Sequence, residues 1–344
     1  MLRTRTAPVA LVPPLSATVR SRIGETGSDG RARGWAAVGA YVALTKPRII
    51  ELLLVTTIPT MFVAERGVPG VWLMVATLVG GTLAAGGANA INMVIDRDID
   101  RLMERTKRRP LVTGAMSPRA ALTFAIAIEA LSFAWLWTTV NLLSAVLAVA
   151  ACLFYVFVYT LWLKRTSSQN IVIGGAAGAV PVLVGWSAVT NSLGWAPVVL
   201  FAVIFVWTPP HFWALAFKYR ADYAAADVPM LPVVASFRHT AVRIIAYSVV
   251  MWAMTVAFTW VGHMGTLYLV SSVVLGAIFL GYAIALYRAG SDLGADDTVP
   301  VVADGGATAP SISKPAMRLF GWSITYLTLL FAVMAIDQVI AHGH

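Results

Sequence analysis

Asn92, Asp96 and Asp100 recur at intervals of four residues within NMVIDRDIDRLMERTKRRPL, the stretch at 92–111. Each four-residue step drifts only about 40° round a helix, so the three side chains share one face. Two carboxylates and an amide at that spacing offer hard oxygen ligands to Mg²⁺, which completes its shell with water and substrate phosphate. The same stretch carries four acids and six bases. Lysine and arginine beside such ligands take phosphate oxygens directly. Metal and cations together neutralise the charge that develops when a phosphate ester ionises. The pattern points to a metal-assisted polyphosphate site. A solvated helix end, its acids paired with Arg97, Arg101 or Arg105, is the structural alternative. Asp98 falls about 200° from Asp96 and points elsewhere.

A second polar run is HFWALAFKYRADYAAADVPMLP, which starts at His211. Lys218 and Asp222 stand four apart, as do Tyr219 and Tyr223, so each pair shares a face of a continuing helix. Asp227 lies about 140° round from Asp222, just before the VPMLP break. Two acidic clusters facing each other would clamp a diphosphate through metal ions. Their separation by an even number of apolar runs hints at an internal duplication.

The elements that hold these residues are apolar. The chain has 344 residues, 59% hydrophobic and 12% charged, where a soluble chain carries about a quarter charged residues. Its mean hydropathy is +0.78. Nine runs have spanning length: 48–65, 70–94, 119–139, 142–163, 171–190, 195–217, 241–262, 266–287 and 317–338. The expectation is an all-α multi-pass membrane protein with nine transmembrane helices. The Gly-rich fifth run suits close helix packing in lipid. An inside N-terminus places all but Arg66 of the 25 lysines and arginines on the cytoplasmic side. Both polar clusters then face the cytoplasm, and the C-terminus lies outside. Membrane orientation accounts for the net charge of +9, and no nucleic-acid partner is expected.

Cys152 is the one cysteine, so no disulfide within the chain and no thiolate metal cluster can form. Residues 1–40 are expected to be a disordered cytoplasmic tail. Residues 41–344 form the membrane domain, with a flexible cytoplasmic loop at 289–316. Glu129 stands inside the third run with no evident role. A transporter for an anionic solute would more often place its ionisable residues mid-span; here the acids cluster at one end.

Four blocks carry a family resemblance: LTKPRIIELLLVTTIPTMF, NAINMVIDRDIDRLMERTKRRPLVTG, YTLWLKRTSSQNIVIGGAAGAVPVLVGW and WTPPHFWALAFKYRADYAAADVPMLPVV. They resemble signature blocks of the protohaem IX farnesyltransferase (haem O synthase) family, a branch of the UbiA-type intramembrane prenyltransferases. The resemblance covers about residues 41–288 and, weakly, the last run. It implies a UbiA-type bundle with a cytoplasm-facing active site. It implies Mg²⁺-dependent transfer of a farnesyl group from farnesyl diphosphate to a vinyl group of haem B, followed by addition of water. By motif position Asn92, Asp96 and Asp100 would hold the first metal and Asp222 would serve a second. Relatives outside the haem branch often have DxxxD at the second position; Ala226 breaks it here, and Asp227 is not expected to ligate. Lys46, Arg48, Arg97, Arg101, Lys164, Arg165 and Lys218 are candidate diphosphate contacts. Arg105, Lys107, Arg108 and Arg109 could equally meet anionic lipid headgroups. His211, in TPPHFW, is a candidate haem contact or axial ligand; the alternative is a packing histidine beside Pro209-Pro210. The same chemistry on a quinone-precursor or chlorin acceptor shares the NxxxDxxxD pattern, and only the haem-branch blocks speak against it. The family further implies a haem A synthase as a partner that oxidises the product. Composition favours a bacterial cell membrane over a mitochondrial inner membrane.

Overall fold

The computed structural model describes residues 29–290 and 308–342, with side chains from residue 37 onward except those at 48–54. Ala40–His344 is one compact unit, and Met1–Gly39 is a second unit described only from Asp29. The chain is all-α. In order come α1 (Asp29–Thr45), α2 (Pro47–Glu65), α3 (Val71–Ile95), the short α4 (Arg97–Asp100) and α5 (Pro110–Thr113), and α6 (Pro118–Thr139). Next are α7 (Leu142–Leu153), which runs through a π-helical stretch (Phe154–Leu163) into α8 (Lys164–Thr166), then α9 (Asn170–Thr190) and α10 (Trp195–Lys218). The short α11 (Arg220–Ala225) and α12 (Leu231–Val234) precede α13 (Phe237–Val261), α14 (Thr266–Arg288) and α15 (Pro310–His342).

Among the described residues, eight helices are long and apolar enough to cross a membrane. They match the second to ninth expected runs, with the π-helical stretch inside the fourth. The first expected run coincides with α2, which packs against α9 and α15. The chain is therefore a multi-pass helical membrane protein.

The termini of these helices follow from local chemistry. Ser117 accepts from the Ala120 amide with Pro118 at the first helical position, a pairing that favours helix initiation. Asn141 accepts from the Ser144 amide at 2.8 Å and starts α7 directly after α6. Ser236 accepts from the His239 amide, so α13 begins at Phe237 rather than at 241. Two boundaries correct the sequence expectation. The tail expected to be unstructured through residue 40 is helical from Asp29, over an Ala-rich stretch with no proline to stop it. The last helix starts at Pro310, whose fixed φ suits a first turn, and takes in the end of the loop expected at 289–316. Residues 1–28 and 291–307 lie outside the described residues.

Close approach explains the glycine-rich fifth run. A Cβ on Gly185 would stand 2.6 Å from the Thr57 carbonyl oxygen of α2. Only a hydrogen there lets the two backbones meet, the usual device where lipid gives no hydrophobic drive between helices. Side-chain bonds to main-chain carbonyls tie α6 to α3: Trp135 Nε1 donates to Ala76 at 2.9 Å and Ser132 Oγ to Gly80 at 2.8 Å. At the far end of the bundle, buried Asp337 on α15 accepts from the Gly265 and Tyr268 amides at 2.6 and 3.1 Å. That carboxylate satisfies donors that the start of α14 leaves open.

Candidate active site

The helix bearing the first cluster pauses at Asp96, where φ is −82° and ψ is 1°. The i to i+4 pattern survives the pause. The Asp96 amide donates to the Asn92 carbonyl at 2.9 Å and the Asp100 amide to the Asp96 carbonyl at 2.8 Å. Asn92, Asp96 and Asp100 therefore keep a common face, and all three are buried, Asp96 fully. Asn92 Nδ2 donates to Asp96 Oδ2 at 2.7 Å and to Thr160 Oγ1 at 3.1 Å.

Three separate segments deliver cations to this face. Lys46, at the junction of α1 and α2, donates from Nζ to Asn92 Oδ1 at 3.0 Å. Lys164, at the end of the π-helical stretch, forms a close ion pair with Asp96 Oδ2. Arg109 pairs through Nη1 with Asp100 Oδ2 at 2.6 Å. Lys46 adopts φ 52° and ψ 62°, a left-handed conformation uncommon for a residue with a Cβ. Burial, with Arg109 and Lys164 nearby, pulls its ammonium down to about 7.

Arg165 straddles the rim. Its guanidinium grips Asp98 at 2.7 and 2.8 Å and lies 3.8 Å from Asp96 Oδ1. Chiefly through that bidentate bond, the Asp98 carboxyl is held down to about 2. Asp98 thus lies off the common face, as the helical angle required. Arg97 and Arg101 are exposed. Each follows an acid by one residue, about 100° round, so the structure does not bring them to the cluster. Lys218 is exposed and lies over the Tyr219 ring at 5.3 Å instead. The side chain of Arg48 lies outside the described residues.

The second cluster does meet the first. Asp222 accepts from the Glu104 and Arg105 amides at 3.3 and 3.4 Å. The Arg105 guanidinium packs over the rings of Tyr219 and Tyr223, at 5.8 and 5.2 Å, and donates to the Tyr223 hydroxyl at 3.4 Å. Ile99 and Met103 share an apolar cluster with Tyr223, Ala226 and Met230. Ala226, where an acid would complete DxxxD, is buried there, while Asp227 is exposed with φ 51°.

Beneath the polar cluster opens a cavity of about 350 Å³, lined among others by Asn89, Cys152, Tyr155, Tyr159, Trp207 and Phe212. Its size suits a small-molecule site, which is typically apolar with few polar groups. Asn89 lies one helical turn before Asn92, so the end of α3 lines the cavity and leads directly into the acids. Tyr155 and Tyr159 stack at 5.4 Å on the π-helical stretch that leads into Lys164. π-Helical insertions occur often at functional sites.

His211 is not among the residues that line this cavity. Its ring lies against Trp207 at 4.3 Å and Phe320 at 4.6 Å, and its Nδ1 shares a 2.6 Å hydrogen bond with Ser323 Oγ on α15. Trp207, against which the ring stacks, does line the cavity. Glu129, whose Oε1 is buried without a hydrogen-bond partner, packs against Gly87 of α3 and does not line the cavity.

Thr160 and Arg109 were not singled out for this cluster from sequence. Thr160 lies four residues before Lys164, and that spacing is the only local signal. Arg109 was one base among several in a run.

The donor set fits a hard divalent cation. Asp96 Oδ1 is buried and lacks a hydrogen-bond partner, beside an amide oxygen and a second carboxylate. Among the described residues no group of three or more His, Cys, Asp or Glu gathers. A metal here would rest on Asn92, Asp96 and Asp100, with water and substrate phosphate completing its shell, as Mg²⁺ prefers.

The profile of the UbiA prenyltransferase family matches residues 53–298. The protoheme IX farnesyltransferase of Frankia alni is 54% identical over 89% of this chain and 99% of its own length. That of Streptomyces avermitilis is 51% identical over 90% of this chain and 97% of its own. A solved digeranylgeranylglyceryl phosphate synthase superposes with a TM-score of 0.68 at 14% identity, over 88% of this chain and 99% of that one. A UbiA homologue from Archaeoglobus fulgidus, solved with GPP and Mg²⁺, gives 0.54 at 17% identity over 85% and 99%. The solved structures share the fold, and the profile and the near relatives agree with the acidic face above an apolar cavity: the chain belongs to the UbiA prenyltransferase family.

Proposed function

We propose that the chain transfers the farnesyl group of farnesyl diphosphate to a vinyl group of haem B, with addition of water, giving haem O and diphosphate. One observation carries the reading: a buried acidic face with three attendant cations begins one helical turn beyond Asn89 of an apolar cavity, in a chain 54% identical to a protoheme IX farnesyltransferase. Asn92, Asp96 and Asp100 are the residues that would hold Mg²⁺. Bound there, the ion would supply Lewis-acid charge to the departing diphosphate. Lys46, Lys164 and Arg109 reach the same place and take phosphate oxygens. Arg165 stands at the rim as a further phosphate contact. As the allylic carbon–oxygen bond breaks, its electron pair leaves with diphosphate. The vinyl π electrons form the new carbon–carbon bond, and water adds to the resulting cation with loss of a proton. Tyr155 and Tyr159 stand where the polar face gives way to the cavity. Their rings close the reacting carbon off from bulk water. The cavity walls hold the prenyl chain. Asp222 positions the 104–105 backbone and, with it, the loop that carries Arg109.

The distribution of lysine and arginine supports a cytoplasmic N-terminus, a C-terminus outside and an active site open to the cytoplasm. The bacterial relatives support a bacterial cell membrane. A haem A synthase partner has the family resemblance alone behind it. The test is direct. Membranes containing the protein receive haem B and farnesyl diphosphate, with and without Mg²⁺, and the haem products are weighed. A Mg²⁺-dependent product heavier by a farnesyl group plus water is expected. No such product, alongside prenylation of a quinone-type ring, would replace this reading with the other acceptor class.

A further inference from the structure

Each of the three residues of the acidic face already has a cationic partner within the chain. Asn92 Oδ1 accepts from Lys46 at 3.0 Å, and Asp100 Oδ2 pairs with Arg109 at 2.6 Å. Asp96 Oδ2 takes both Lys164 and the Asn92 amide. Buried Asp96 Oδ1 lacks a hydrogen-bond partner, with Arg165 3.8 Å away, and Asp100 is paired through Oδ2 alone. Two carboxylates and the Asn92 amide thus meet three bases at contact distance, with a fourth close by. A divalent cation arriving alone would find one oxygen of each carboxylate already paired and several like charges around it, and buried charges repel strongly at such range. A diphosphate changes this balance. Its oxygens are better partners for ammonium and guanidinium groups than an amide oxygen is, and they bring negative charge that the face lacks.

We propose that Lys46, Lys164 and Arg109 occupy the metal ligands until a diphosphate draws them away, so that metal and diphosphate bind together and neither binds well alone. The inference rests on the site reading given above and adds to it an order of assembly. It makes these three bases positioning residues with two partners: the ligand oxygens before diphosphate binds and the phosphate oxygens after. Lys46 has the backbone for such a move, because its left-handed φ sits at the joint between two helices. Strain of this kind collects at switching positions. Binding linkage makes the effect reciprocal: the factor by which diphosphate tightens the metal equals the factor by which metal tightens diphosphate. The benefit is chemical. A metal present only with diphosphate cannot tie up the acidic face without substrate.

Mn²⁺ as the probe and inorganic pyrophosphate as the diphosphate give a readout independent of turnover. Full-length protein in detergent is dialysed against buffers of equal free Mn²⁺, with and without pyrophosphate, and retained Mn²⁺ is counted by electron paramagnetic resonance. The wild type should gain at least about tenfold in Mn²⁺ affinity from pyrophosphate, within the range usual for coupled sites. Lys46→Ala and Arg109→Ala should each bind Mn²⁺ alone more tightly than the wild type and show a smaller gain. Lys164→Met keeps the bulk of a more buried side chain and should do the same. Equal Mn²⁺ affinity with and without pyrophosphate in the wild type would overturn the inference and leave the site reading standing. So would unchanged metal-alone affinity in all three folded variants. Asp96→Asn separates the two failures: if it retains Mn²⁺ plus pyrophosphate as the wild type does, the metal-site reading itself falls.

Discussion

The two acidic clusters occupy corresponding places in the chain, one after α3 and one after α10, yet they are built by different means. Asn92, Asp96 and Asp100 are buried and are met by side chains from two distant segments and by Arg109 of their own loop. Asp222 is half-buried and is met by two backbone amides of the first cluster's own loop. The first arrangement stores charge in a form that can be exchanged for a ligand. The second fixes a backbone. Similar acids thus have different partners in the two halves, and Ala226, buried where an acid would complete the repeat, marks a further difference between them.

The largest effect expected is at the first cluster. Asp96→Asn or Asp100→Asn should lower Mg²⁺-dependent turnover by at least about 10²-fold, the scale seen when a group that stabilises developing charge is lost. Asn keeps an acceptor oxygen for Lys164 or Arg109, so folded yield should hold. Near-normal rates at saturating Mg²⁺ would make the two clusters equivalent supports. Asp222→Ala comes next. Loss of two hydrogen bonds to a charged acceptor should cost about 1.5–3 kcal/mol of local order. Hydrogen exchange at the 104 and 105 amides should speed up, and activity should fall less than for Asp96→Asn. Unchanged exchange would mean that Asp222 does not fix this loop.

His211→Ala probes a third region against both. Removing its hydrogen bond to Ser323 and its contacts with Trp207 and Phe320 should lower stability by about 1–3 kcal/mol. The absorption spectrum of bound haem B should not change. A spectral shift would return His211 to the iron. The smallest effect is at Asp98. Asp98→Ala removes a carboxylate whose side chain is 60% exposed and whose partner is Arg165, so turnover should stay within about twofold, as for most exposed pairs. Its folded pKa of about 2 lies below the usual 3.8. The pair therefore contributes above pH 3.8 and is lost as pH falls toward 2. A stability difference between wild type and Asp98→Ala that changed between pH 6 and 8 would contradict that assignment.

The spans from α3 to α15 were legible because lipid demands long apolar runs with satisfied backbones, and few other sequences meet that demand. The common face of Asn92, Asp96 and Asp100 was legible because helical periodicity places residues four apart together whatever surrounds them. The same periodicity put Asp98 off that face, where Arg165 holds it. Periodicity says nothing about partners across the bundle. Lys46, Thr160 and Lys164 are far from Asn92 and Asp96 in sequence, and only the packing of α2, the π-helical stretch and α3 brings them within bonding distance. Arg97 and Arg101 were favoured by their nearness in sequence, yet the helical turn that groups the acids carries them outward. The sequence by itself determined which residues share a helix face, which segments lie in lipid and which family the chain belongs to. Tertiary structure alone decided which bases meet which acids, that His211 faces α15, and that Asp222 of the second half meets the backbone of the first cluster's loop. The physical reason is range: a helix fixes angles over a few residues, while an ion pair depends on where whole helices stand.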